Sequence, residues 1–181
     1  MNKLFIVVLA LLVLLLASDW TFAGETSKSE FSKQDVVMLK SLKSVLQNTR
    51  KLLDELSNSI QKKGEEYNKS SFWAFQEKNK LVTENCKNIE MALDATLVLV
   101  PASLVLSYDT IIKLDLPSEA FSIFEKNMVD HGKLSYSAFK NCKDFTKSFQ
   151  DVKSSTEAFD KGSSILMFGI EEVLKESEEY I

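Results

Sequence analysis

Between Leu39 and Ile60, apolar side chains return at alternating steps of three and four. Leu39, Leu42, Leu46, Thr49, Leu53, Leu56 and Ile60 keep that rhythm without a break. Only an α-helix puts all seven on one side, so this segment is read as a helix with a core-facing stripe. Met38, Val45 and Leu52 run beside the stripe and widen it. A helix with so broad an apolar face needs partners to cover it. Its start is marked by Ser32, with Asp35 three residues on as in a capping box. Phe31 and Val36 flank that cap as a hydrophobic staple. Gly64 is the expected stop.

The same rhythm recurs downstream. Phe72, Phe75, Asn79, Val82, Cys86, Ile89, Leu93, Thr96 and Val100 predict a second helix opening near Ser70 or Ser71. In this register Cys86 faces inward, and Asn79 is the polar residue that would fix pairing. Pro101 interrupts the aliphatic run Leu97–Leu106, which predicts a kink or a turn and pushes Val100 from helical angles. Helical pattern resumes over Tyr108–Leu114, and Leu116-Pro117 marks a boundary. Phe121, Phe124 and Met128 then line a short helix that Gly132 would end. Ser135 is the expected cap of the next helix, with Leu134 and Phe139 as its staple. Phe139, Cys142, Thr146, Phe149, Thr156 and Phe159 share a face, on which Val152 rather than Lys153 takes the apolar place. Gly162 and two serines separate a last helix carrying Ile165, Leu166, Val173 and Leu174. Its acidic end, Glu171 to Glu179, opposes the helix dipole and is expected to fray.

With only 5 Gly and 2 Pro in 181 residues, turns are few and no strand pattern competes. The expectation is an all-α protein: an antiparallel bundle of five or six amphipathic helices joined by one inter-helix disulfide, with residues 31–181 as a single domain. Ahead of it, Lys3 precedes the apolar run Leu4–Ala17, followed by Ser18, Asp19 and the small Ala23. That is the layout of a secretory signal peptide over 1–23. The run falls short of the ~20 residues a span needs. Residues 24–30, small and polar, are read as a flexible segment. The expected location is outside the cell.

In an oxidising compartment, Cys86 and Cys142 are the only two cysteines and have only each other to pair with. Asn68-Lys69-Ser70 is a glycosylation sequon in a polar stretch, so Asn68 is a candidate for sugar.

Reactive chemistry is scarce. The formal charge of −4 disfavours a nucleic-acid partner. His131 is the single histidine and is read as a solvated loop residue beside Gly132. One histidine and two paired cysteines leave too little for a metal site, and the glycines form no phosphate loop. No catalytic residue, metal ligand or cofactor is expected, and the chain is read as a non-enzyme. Two features stand apart. Asp94 and Asp109 lie symmetrically about Pro101, where a tight hairpin would bring the carboxylates together; the plainer reading leaves each on a wet helix face. Trp73 sits between Phe72 and Phe75, which are on the expected core stripe, and Trp is favoured at binding hot spots.

The function expected is that of a secreted non-catalytic binding protein holding an apolar small molecule or lipid among amphipathic helices, a reading supported by 12 Phe and wide apolar stripes. The alternative is an extracellular protein-binding module: an inhibitor, signalling ligand or secreted effector. Membrane insertion by the segment around Pro101 is less favoured, because each limb is too short to cross the hydrocarbon and no stable span is expected. Phe72, Trp73, Phe75, Asp94 and Asp109 are the candidate contacts.

Overall fold

A computed structural model describes residues 31–178; the signal-peptide and flexible-segment readings and the end of the acidic run lie outside them. Five helices follow one another: α1 (Lys33–Lys69), α2 (Phe75–Leu106), α3 (Tyr108–Ile112), α4 (Ser118–Lys140) and α5 (Phe145–Glu178). No strand occurs among the described residues. The four long helices run alternately up and down. Cross-helix partners count in opposite directions along α1 and α5, as in Lys43 with Glu171, Arg50 with Asp160, and Gly64 beside Phe145. Lys63 with Glu84 and Ser59 with Asn88 show the same opposition between α1 and α2.

The α1 stripe is buried along its whole length, from Leu39 to Ile60. Each such leucine contributes roughly 1.5–3 kcal/mol when it leaves water. Facing it are Ile89, Leu93, Val100 and Leu104 of α2, and Val152, Phe159, Leu166, Ile170 and Leu174 of α5. The capping box forms as its sequence implies: the Asp35 amide donates to Ser32 Oγ (3.1 Å), and Asp35 Oδ2 accepts from the Ser32 amide (2.8 Å).

Several breaks expected from the sequence are absent. Helix α1 passes Gly64 and ends at Lys69. Gly64 is buried because a Cβ there would lie 3.1 Å from Phe145 Cβ, so α5 can start against bare backbone. Gly132 does not end a helix, and Ser135 caps nothing, since α4 runs through both. Gly162 does not separate two helices either. It lies within α5, where a Cβ would meet Asn127 Cβ at 3.2 Å and the Phe124 carbonyl at 3.4 Å. The true break is at residues 141–144, where Asp144 Oδ1 accepts from the Lys147 amide and opens α5.

Helix α2 also departs from the reading. It opens at Phe75 rather than near Ser70 or Ser71; of the expected stripe Ile89, Leu93, Thr96 and Val100 are buried, and Leu81, Asn85, Ala92, Leu97 and Leu104 join them. Asn79 is exposed, and the polar residues buried on this helix are Asn85 and Thr96. Pro101 neither turns the chain nor ends the helix, and Val100 remains helical. The chain breaks at Ser107 instead. After α3, Asp115 adopts a left-handed φ of 48°, a conformation aspartate tolerates better than most residues, and α4 folds back.

Candidate functional site

The disulfide joins Cys86 of α2 to Cys142 just past α4, with Cα atoms 4.8 Å apart. Asn85 reinforces it by donating from Nδ2 to the Cys142 carbonyl at 2.7 Å. Closing a loop of that length stabilises by about 4 kcal/mol on the chain-entropy account. Otherwise α2 packs chiefly on α1 and touches α4 sparsely, so its outer side has no helix against it.

That outer side is aliphatic. Met91, Val98, Leu99, Val105 and Leu106 of α2 and Ile112 of α3 are all exposed, Leu106 at 73%. No charged residue occurs from Ala95 to Tyr108. By length and composition α2 could cross a membrane, and 39% of its apolar window is buried in the fold. The two limbs flanking Pro101 are therefore one helix, not two short ones. Asp94 and Asp109 do not meet in a hairpin, because none forms; each is exposed on its own helix.

At the opposite pole, Phe72, Trp73 and Phe75 form a second patch. Phe72 stacks edge-on against both Trp73 (5.4 Å between ring centres) and Phe75 (5.7 Å). The core placement of Phe72 and Phe75 is corrected: both are exposed, and Trp73 is 80% so. The cause is the later start of α2, which leaves Phe72 and Trp73 in the corner ahead of it. Asn68 is exposed on the last turn of α1 rather than in a loop.

The reading of His131 is overturned. It is 4% exposed, on the α4 face that meets α5. Its Nδ1 lies 2.8 Å from Ser155 Oγ and 3.1 Å from the Ser155 carbonyl, and Ser135 Oγ lies 2.8 Å from Ser155 Oγ. A carbonyl only accepts, so the proton is assigned to Nδ1. Ser155 Oγ then donates to the His131 carbonyl (3.2 Å), and Nε2 is left unprotonated without a partner. Burial pulls the His131 pKa below its ordinary value, and the hydrogen bond to Ser155 backbone opposes this only in part. A serine beside a histidine invites comparison with a nucleophile and its base. Here Ser135 and Ser155 are wholly buried, so no substrate reaches them in this conformation. Sequence reasoning missed the cluster because the glycine next to His131 looked like a helix end.

Asp35 does more than cap. Its carboxylate also accepts from Thr110 Oγ1 (2.9 Å) and Lys113 Nζ (2.8 Å), which fastens α3 to the start of α1. Lys113 is the main reason its pKa lies far below the ordinary carboxylate range, with Ser32 and Thr110 adding to the effect against burial. Between α4 and α5 an open groove of about 400 Å³ is lined by Leu134 and Ala158 and edged by Asp130, Lys133, Glu157 and Lys161. No group of side chains able to hold a metal ion occurs among the described residues.

The chain matches no family model, no curated protein and no solved structure. What it does must be argued from its own surface.

Proposed function

We propose that the protein is a secreted, non-catalytic binding protein whose working surface is the aliphatic side of α2 and α3. One observation carries this reading: Met91, Val98, Leu99, Val105, Leu106 and Ile112 face outward together in a stretch poor in charge. Contiguous apolar surface of this kind marks a place where something else binds. Secretion is supported by the N-terminal pattern and by the disulfide. An extracellular protein is one occupant that a solvent-facing aliphatic helix side suits. An apolar small molecule or lipid is the second reading, favoured by the membrane-like composition of α2.

Carbene footprinting tests the surface. The purified protein is labelled alone, with phosphatidylcholine vesicles, and with a helical peptide bearing a leucine seam. Protection of residues 91–112 by the vesicles or the peptide is the expected result. Labelling unchanged by both would overturn the proposal.

A further inference from the structure

Helix α4 is held to α5 unevenly along its length. Its buried residues are His131, Ser135 and Ala138, none of them a large apolar side chain. His131 and Ser135 both bond to Ser155. Ahead of His131, no residue from 118 to 130 is buried, and Phe121, Phe124 and Met128 pack on the core only in part. Beyond it the attachment is firm. Asp151 Oδ2 accepts from Ser137 Oγ and from Asn141 Nδ2, each at 2.8 Å, and Cys142 is bridged to Cys86. Gly132, the weakest helix former of α4, sits where the loose half meets the fixed one.

The imidazole at that junction has no place for a charge. Nδ1 is used by Ser155, and Nε2 has no partner. Of the charged groups on the surrounding elements, Asp130 and Lys133 of α4 and Glu157 and Lys161 of α5 edge the open groove. Asp151 is taken by Ser137 and Asn141, and Asp160 by Arg50 of α1. Glu90 and Asp94 of α2 are exposed. A proton on Nε2 puts a positive charge and an unpaired N–H into a dry seam, which costs free energy until water reaches them. Water reaches them once the loose half lifts.

We propose that residues 118–131 form an acid-released strap: protonation of His131 lifts this half of α4 off α5, while residues 137–142 stay seated. Lifting uncovers Phe124, Met128 and the side of Phe159 beside the imidazole. The acid form thus presents apolar surface that the neutral form hides.

The test is hydrogen exchange on the full disulfide-bonded protein from about pH 7.5 to about pH 4.5, corrected for the pH dependence of chemical exchange, beside an NMR titration of the imidazole. The imidazole signal assigns itself, because His131 is the single histidine. The lifting equilibrium should grow by up to about tenfold per pH unit below about pH 6.5, until the folded imidazole itself titrates. Amides of residues 122–135 are expected to lose protection over that range while those of α1 keep theirs. His131→Asn retains a donor for the Ser155 carbonyl but takes up no proton, so its protection should not change with pH; circular dichroism checks that it folds. Three results would overturn the strap: a loss in α4 no greater than in α1, an imidazole that titrates at or above about pH 6.5, or the same acid response in His131→Asn. Should that variant fail to fold, the comparison of α4 with α1 and the imidazole titration in the unaltered protein decide alone.

Discussion

The seam between α4 and α5 and the outer side of α2 are opposites. In the seam, side chains with hydroxyls and an imidazole are sealed from water, and the surface above them is charged. On α2 the order inverts: aliphatic side chains face solvent, while Asn85 and Thr96 are buried. Glycine also behaves differently from proline in the two places. Gly162 and Gly169 lie inside α5 and let Asn127 and Leu116 approach its backbone. Pro101 rides in α2, where no neighbouring helix presses from outside. The contrast teaches that the fold has enough polar residues to cover a seam, and that the bare face of α2 is not a shortage of them.

The largest expected effect strikes the seam and spares the face. Phe159→Ala removes a buried ring that packs beside His131 and should cost about 3–5 kcal/mol in urea unfolding, while Val98→Ser should stay within about 0.5 kcal/mol. Similar losses at both positions would erase the distinction. Next, C86S/C142S should cost about 4 kcal/mol. Hydrogen exchange should then rise in α2 before α5, since α2 has fewer other attachments. Pro101→Ala should stabilise by about 2 kcal/mol, because it restores a helical donor where the chain is already helical. Thermal melting checks it, and a loss would mean that the proline suits a local geometry that alanine does not.

Smaller effects sharpen the polar side. Ser155→Ala removes the hydroxyl bonded to Ser135 Oγ and the His131 carbonyl, while His131 Nδ1 keeps the Ser155 carbonyl, and should cost about 1–3 kcal/mol by the same urea measurement. Acid should act in two windows. The folded pKa of His131 is lowered, so the unfolded chain takes up a proton first; stability is full above about pH 6.5 and falls as pH drops below it. Asp35 is also lowered, so its contribution is complete above about pH 4 and is lost below that. Denaturant midpoints of His131→Leu and Asp35→Asn against pH should each flatten one window and leave the other.

Much of this architecture could be read from spacing. The α1 stripe, the Ser32 cap, the Cys86–Cys142 bridge and the place of Val152 over Lys153 each follow from a local pattern or a forced pairing. The misreadings share a cause. Gly64, Gly132 and Gly162 looked like ends, but a glycine that breaks an isolated helix is tolerated where another helix crosses it. Chain order alone does not show which neighbour comes close. The inner face of α2 was misjudged near Asn79 because Phe72 and Phe75 fit the same alternation as Ile89 and Leu93, which passes over the buried Leu81 and Asn85. Farther along, from Met91 to Leu106, α2 is apolar nearly all round, so the sequence could not tell its dry side from its wet one. The candidate surface is legible only once α1 has taken its side.

The clasp formed by Asp35 with Thr110 and Lys113 has a kinetic consequence. It holds α3, one residue beyond α2, while the sulfur bridge holds α2 near its other end. Pinned at two points, α2 already turns its greasy flank outward in the folded chain. A visitor would find that flank ready-made, so docking should proceed at the ordinary pace of rigid partners, about 10⁵–10⁷ M⁻¹s⁻¹, with no opening step to wait for.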